Sequence, residues 1–307
     1  MLDTQKISDR YIAELPYLMG YEPKESVVAF WLHADSTMSF AQRADISDVL
    51  EDTSNFVTVG DHNPRTAALI LIYSDKTPSE LWDFALELGD TIEENDITVF
   101  DILKVNGSEY STFFLPRDDL DTQGVFTVDA KVISDIKNKY KDKEVGADRD
   151  SLMANYGCAN SYPHFDERME SIVDFSDAVD DFIDAYEAYP DYSGSDYQFL
   201  VSLSVLLHNI KVRDEILIQI NSLDREGIDR AIGLASEILR VTPKEHSAPI
   251  YTVTAIMAWI KGNGALANML IDTALEATPD YNLAIIIQVA LRTGLSPSYW
   301  REVISEL

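Results

Sequence analysis

The chain has 307 residues, of which 53 are acidic and 24 are basic, so its formal net charge is −29 at pH 7. A charge of this sign repels nucleic-acid phosphates and anionic lipid surfaces unless a local basic patch overrides it. The lysines of residues 137–143 are interleaved with acidic Asp142 and followed by Glu144, so they form no such patch. The sequence therefore argues against direct binding to nucleic acid or to membranes.

Composition also bounds the architecture and the compartment. Hydrophobic residues make up 46% of the chain, which is ordinary for a globular protein of one large or two smaller domains. No apolar run is long enough to span a membrane, and the N-terminus lacks the basic and apolar regions of a secretory signal. The single cysteine, Cys158, permits no internal disulfide and fits a reducing compartment. We expect a cytoplasmic protein.

The first predicted elements are a short helix and a hairpin. The helix covers Ile7–Leu15 and leads through Pro16 into an irregular segment. Ser26–His33 is a β-branched and aromatic run typical of a buried strand, and Met38–Ile46 could pair with it. The residues Gly60–Arg65 are rich in breakers and predict a loop.

A strand–helix–strand unit follows. Ala67–Tyr73 and Ile97–Val105 are the predicted strands, and a capping box from Thr77 to Glu80 opens the helix between them. A connection of this length predicts a parallel pair of strands. Asn106-Gly107 then predicts a tight hairpin that returns the chain to Glu109–Phe114, which gives a mixed sheet.

The remainder of the chain is predominantly helical by its apolar spacing. The predicted helices cover roughly 166–188, 197–220, 224–241, 247–261, 264–277, 280–293 and 297–306. The charged segment Lys141–Asp150 is the best boundary. The sequence therefore predicts an α+β protein, with a mixed α/β sheet domain at 1–145 and an all-α domain at 146–307.

Two prolines suggest a helical repeat. Pro243 and Pro279 lie 36 residues apart, close to the tetratricopeptide period of about 34. Aligning Pro279 with the closing proline of that pattern places its large and small positions on two helices, at Tyr251, Ala255, Ala267, Ile271 and Ala274. The neighbouring units fit poorly. We expect one tetratricopeptide-like hairpin with degenerate hairpins beside it, or a plain helical bundle.

Several segments resemble the actinobacterial domain-of-unknown-function 4192 family over nearly the full length. The segments that carry this resemblance are Leu15–Pro23 running into Ser26-Val27-Val28, Arg43-Ala44-Asp45, Val212-Arg213-Asp214, Ala258–Ala267, Ala274-Leu275, Pro279-Asp280-Tyr281, Gly294–Pro297 and Trp300-Arg301. The resemblance implies no established activity. Members often have a cysteine-rich segment after the last strands of the first half, but Phe113–Asp118 contains no cysteine, so a metal or thiol role is not expected there.

No segment matches a catalytic or nucleotide-binding motif. The chain contains no G-x-S-x-G, no phosphate loop and no dinucleotide fingerprint. The only candidate cluster of metal-binding types is Cys158, His164 and Asp166, whose spacing is poor for zinc. We expect no cofactor and no metal, and the balance leans against an enzyme.

Two polar spots are candidate ligand-binding residues. Arg43 and Asp45 are two apart on a predicted strand and therefore share one face, where they pair with each other or meet a ligand. Arg213, next to Asp214, interrupts an apolar helix and could bridge the two halves through a buried bidentate pair.

Three functions are compatible with these features. The first is a protein-interaction module that binds a protein partner through a concave face of its helical hairpins. The second is an enzyme or small-ligand protein with a site between the two halves, lined by Arg43, Asp45 or Arg213. The third is an acidic decoy of a nucleic-acid-binding protein. Partner identity and oligomeric state stay open.

Overall fold

A computed structural model describes residues 2–58, 65–120, 124–141, 143, 145–158, 165–171, 178–189 and 197–305. The chain divides into two compact units, residues 1–149 and 150–307. The predicted loop at Gly60–Arg65 lies outside the described residues except for Arg65, and so does His164 of the predicted cluster.

The described part of the first unit is a six-stranded mixed sheet with helices. Its elements are α1 (Leu2–Met19), β1 (Ser26–Leu32), β2 (Met38–Asp45), α2 (Ile46–Glu51), α3 (Thr53–Thr58), β3 (Ala67–Tyr73), α4 (Trp82–Glu94), β4 (Thr98–Asn106), β5 (Glu109–Thr112), β6 (Val125–Thr127) and α5 (Ala130–Lys139). The strand order is β2-β1-β3-β4-β5-β6. Only the β3–β4 pair is parallel among these neighbours, and α4 connects its two strands. This confirms the predicted strand–helix–strand unit and the α+β class.

Both faces of the sheet are covered, because every residue of β1 is buried. Alternate residues of a strand point to opposite faces. Val27, Ala29 and Trp31, which share one face of β1, pack in a core with Leu88 of α4 and Phe56 of α3. On the opposite face, Tyr11 of α1 stacks on Phe30 with ring centroids 4.5 Å apart. The sheet is therefore the middle of three layers, which explains its continuous apolar strands.

The end of the first unit is hydrogen-bonded to the end of its first helix. The Gly146 N–H donates to the Gly20 carbonyl at 2.8 Å, and the Glu22 N–H donates to the Gly146 carbonyl at 3.2 Å. These bonds form a parallel bridge between Tyr21 and Gly146. The chain thus leaves the unit beside the place where α1 ends.

The first helix is longer than the prediction that ended it at Pro16. It runs from Leu2 to Met19, with Pro16 inside. Tyr11, Leu15 and Met19 lie four residues apart and are all buried, so one continuous apolar stripe spans the proline. Packing of this stripe offsets the hydrogen bond that the proline nitrogen cannot donate.

The β4–β5 hairpin is present, but its turn is one residue later than predicted. Asn106 belongs to β4 and pairs with Glu109, so Gly107 and Ser108 form the two-residue loop. Gly107 has φ of +59°, while Asn106 is not among the residues with positive φ. Glycine at the first loop position is typical of a type II′ turn, so the turn is compatible with this register.

The second unit is helical throughout its described residues. Its α-helices, of which the first begins at the boundary residue, are α6 (Arg149–Met153), α7 (Phe165–Ser171), α8 (Ala178–Glu187), α9 (Tyr197–Leu206), α10 (Ile210–Asn221), α11 (Arg225–Val241), α12 (Ala248–Ile260), α13 (Gly264–Ala277), α14 (Asn282–Arg292) and α15 (Pro297–Ser305). The predicted helix at 197–220 is two helices. Asn209 breaks it because its side chain accepts from the Lys211 and Val212 N–H groups and caps α10.

Helices α12 and α13 form the predicted hairpin. Gly262 lies between them with φ of +89°, and the Asn263 side chain caps α13 by accepting from the Leu266 N–H at 3.0 Å. Ala255 and Ala267 are fully buried, as expected for small residues where two helices approach closely. Assignment of this hairpin to the tetratricopeptide type stays a prediction.

Candidate functional site

Arg43 and Asp45 share one face of β2, as predicted, and they pair with each other. The Arg43 Nη2 atom lies 2.6 Å from Asp45 Oδ1. The same guanidinium donates from Nε and Nη2 to the Ser26 hydroxyl oxygen of the neighbouring strand. The Ser26 hydroxyl in turn donates to the Lys24 carbonyl at 2.6 Å. These bonds hold the edge strand β2 on β1, and a ligand contact at Arg43 or Asp45 stays a prediction.

Arg213 is buried on α10 and is held by two side chains of the second unit. Its Nε and Nη2 atoms donate to one carboxylate oxygen of Asp214, at 2.9 and 2.6 Å, and Nη1 donates to the Tyr281 hydroxyl at 2.8 Å. Burial opposes the charge of Arg213, but the bonds to Asp214 and Tyr281 outweigh it and raise its pKa. Arg213 therefore fixes the beginning of α14 against α10 and remains charged.

We expect Tyr281→Phe to lower the free energy of unfolding by about 1–2 kcal/mol, because it removes a hydrogen bond to a buried cation. Urea denaturation measures the change. Tyr299→Phe is the matched control, since Tyr299 is 54% exposed and should change stability by less than about 0.5 kcal/mol. Equal losses in the two variants would contradict a structural role for the Arg213–Tyr281 bond.

Of the weak cluster predicted at Cys158, His164 and Asp166, His164 lies outside the described residues, and Asp166 pairs with a different histidine, His246. Asp166 Oδ1 lies 2.9 Å from Nε2 of His246, whose ring stacks on Phe165. His208 Nε2 lies 3.1 Å from the His246 carbonyl oxygen. Within the described part of the chain, no group of three His, Cys, Asp or Glu side chains could hold a metal ion. The contacts of Asp166 and Phe165 with His246 hold α7 against the turn before α12.

Glu14, which is buried, and Asp101, which is partly buried, are two carboxyl groups of the first unit whose pKa values are shifted by their surroundings. Burial opposes ionisation of Glu14, but hydrogen bonds from Lys139 and Tyr140 outweigh it and lower its pKa, which ties α1 to α5. Asp101 on β4 accepts a hydrogen bond from the Thr112 hydroxyl at 2.7 Å. Burial raises the pKa of Asp101 to about 6. Asp101 is therefore ionised at neutral pH, and its charge lowers the free energy of unfolding there.

A groove opens at the surface of the second unit between α10, α12 and the beginning of α14. Its volume is about 440 Å³, within the range of ligand-binding clefts. Its lining includes His208, Ile210, Arg213, Pro249, Asp280 and Ile286. Burial and the neighbouring His246 lower the pKa of His208, so its ring is neutral at pH 7. The groove is therefore apolar in the main, with charged groups at Arg213 and Asp280.

An exposed apolar stripe continues from the groove along α14. Ile286 and Val289 are 60% and 56% exposed, and Ile285 is 39% exposed. Ile210, on the α10 side of the groove, is 63% exposed. We call Ile210, Ile285, Ile286 and Val289 the α14 patch. Exposed apolar side chains on a protein surface are mostly scattered singly. Several of them side by side, next to a groove, are typical of a protein-interaction site.

Sequence reasoning found Arg213 but not the groove or the α14 patch. Eight of the eleven residues of α14 are apolar, in the sequence NLAIIIQVALR, and a helix this apolar is ordinarily buried on most sides. Only Ala284 and Ile287 of this helix are buried. The helix has more apolar residues than one buried face requires, and this excess was the signal in the sequence for an exposed apolar surface.

The fold and the groove define a class: an α+β protein with a sheet unit, a helical unit and a partly apolar surface cleft. Nothing in its described side chains forms a recognised catalytic constellation. No helix in the described residues is long and apolar enough to cross a membrane.

The chain belongs to the family described as domain of unknown function (DUF4192), whose model matches residues 10–298. This confirms the family resemblance found in the sequence, while the actinobacterial source that it implies stays an expectation. No curated protein and no solved structure matches the chain.

Proposed function

We propose that this protein is a protein-interaction module that binds a partner through the α14 patch and the adjoining groove. The observation that carries the proposal is the exposure of large aliphatic side chains on α14, led by Ile286 at 60%. Burying such side chains in an interface is worth about 25 cal/mol per Å² of apolar surface. We further propose that the hairpins of α12–α15 form a tetratricopeptide-like scaffold that presents this surface.

The arrangement beneath the patch supports this proposal. Ile287, on the opposite side of α14, is fully buried, so the helix is anchored while its outer face is exposed. Arg213 also ties the beginning of the helix to α10 through Tyr281. A rigid surface binds with less loss of conformational entropy than a mobile one.

A site-specific photo-crosslinker tests the proposal in cells that make this protein naturally. We expect benzoylphenylalanine in place of Ile286 to give one dominant crosslinked protein species, identified by mass spectrometry. The same group in place of Leu86, 45% exposed on α4 of the first unit, is the matched control and should not give that species. Adding the substitution Val289→Asp should weaken capture at position 286 at least tenfold, because burying an unpaired charge opposes docking.

Two outcomes would contradict the proposal. The first is an identical set of crosslinked species from positions 286 and 86. The second is undiminished capture by the Val289→Asp protein, provided that circular dichroism shows the variant to be folded.

A further inference from the structure

The charges around the groove restrict the chemistry of what binds there. Asp280 lines the groove, is exposed, and its side chain has no hydrogen bond or ion pair with any described residue. Arg213 lines the same groove, but its charge is matched by Asp214, with Nη2 and Oδ1 at 2.6 Å. Neutral His208 adds no positive charge at pH 7. The unmatched charge at the groove is therefore negative.

An acidic ligand would bind unfavourably in this setting. A carboxylate placed on Arg213 would meet the carboxylate of Asp214 on the same guanidinium, and like charges at such distances repel. The formal charge of −29 adds long-range repulsion of any acidic partner. The same charge opposes self-association of two copies through their α14 patches.

The shape of the exposed surface favours a helical segment. Ile285, Ile286 and Val289 lie at spacings of one to four residues on α14 and form an exposed apolar stripe about one helical turn long. A second helix packs along such a stripe by placing its own i, i+3 and i+4 side chains against it. The groove at the beginning of α14 then accommodates a terminal apolar side chain of that segment.

We propose that the partner presents a basic amphipathic helix, whose apolar face covers the α14 patch and whose Lys or Arg pairs with Asp280. This inference rests on the proposed function and specifies the partner's chemistry. Electrostatic attraction between a basic segment and this acidic chain accelerates association, and the Asp280 pair fixes the segment's position on the patch.

The probes are two synthetic helical peptides of 18 residues with the same leucine face, one carrying lysines and the other glutamates on its flanks. Fluorescence anisotropy with the full-length protein measures both dissociation constants. We expect the lysine peptide to bind at least tenfold more tightly than the glutamate peptide. Asp280→Asn should weaken the lysine peptide about two- to fivefold, as expected for an exposed ion pair, and Asp280→Lys about tenfold.

The matched control is Asp90→Asn, which removes the same charge from an exposed position of α4 in the first unit. Equal weakening by Asp90→Asn and Asp280→Asn would show attraction by net charge alone and overturn the inference. Equal affinities for the two peptides, or no binding of the lysine peptide, would also overturn it. Crosslinking at position 286 is measured separately, so the proposed function survives or fails on its own result.

Discussion

We expect Asp101→Asn to raise the free energy of unfolding at pH 7.5 by about 1–3 kcal/mol. The rise in the Asp101 pKa from 3.8 to about 6 corresponds to about 3 kcal/mol of unfavourable free energy for the ionised form. Asparagine removes the charge, while its side-chain oxygen can still accept from the Thr112 hydroxyl. The NH₂ group of the new asparagine lacks a hydrogen-bond partner, which offsets part of the gain and sets the lower end of the expected range.

The pH dependence of this effect has a definite sign. Since the pKa of Asp101 is higher in the folded protein than in the unfolded chain, the folded protein binds more protons between about pH 4 and pH 6. The stability that Asp101 contributes is thus complete below its unfolded pKa and is lost as pH rises through about 6. The two proteins should be nearly equal at pH 4 and furthest apart above pH 7.

Urea denaturation at intervals from pH 4 to pH 8, compared between the two proteins, measures this difference. Asp90→Asn, at an exposed position of α4, should follow the wild type across the whole range. A constant difference between Asp101→Asn and the wild type would show that the carboxyl group of Asp101 does not titrate in this window.

The second large effect is expected at Ile271, in the α12–α13 hairpin. Ile271 is fully buried, so Ile271→Val should lower the free energy of unfolding by about 0.5–1.5 kcal/mol and Ile271→Ala by about 2–5 kcal/mol. The loss combines the removed methyl groups with the cavity that remains. Urea denaturation of the two variants measures both steps.

Ile286 provides the matched series on the neighbouring helix. Because it is 60% exposed, Ile286→Val and Ile286→Ala should each change stability by less than about 0.5 kcal/mol. A loss above about 2 kcal/mol for Ile286→Ala, the lower end of the range for a buried isoleucine, would mean that this side chain serves folding. It would remove the main support for the α14 patch as a binding surface.

The parts of the fold that were predictable are those where local pattern and tertiary packing agree. The apolar runs of β3 and β4 and the capping box at Thr77 defined the strand–helix–strand unit correctly. In the structure this box caps a short 3₁₀ turn, Pro78–Glu80, that leads into α4. The prediction failed at Pro16, because the local penalty of proline was smaller than the gain from burying Leu15 and Met19.

Register and exposure were less predictable than the elements. The Asn106-Gly107 pair indicated a hairpin, but the pairing of Asn106 with Glu109 depends on strand contacts that local sequence does not specify. Strand alternation placed Arg43 and Asp45 on one face correctly, but it did not decide between their pairing with each other and contact with a ligand. The excess of apolar residues on α14 was a signal in the sequence, but which of its side chains are exposed depends on which elements do not cover the helix.

The hydrogen bonds between residues 20–22 and Gly146 have a consequence for how the first unit opens. Its last residues are fastened to the segment that follows its first helix, with the Gly146 nitrogen and the Gly20 oxygen 2.8 Å apart. Ordinarily a chain terminus frays independently of the rest of a domain. Here the last residues of the unit are hydrogen-bonded to the segment that follows α1, so their release requires the bridge between Tyr21 and Gly146 to break. Local opening of the segment after α1 and of the residues around Gly146 should therefore belong to a single cooperative event.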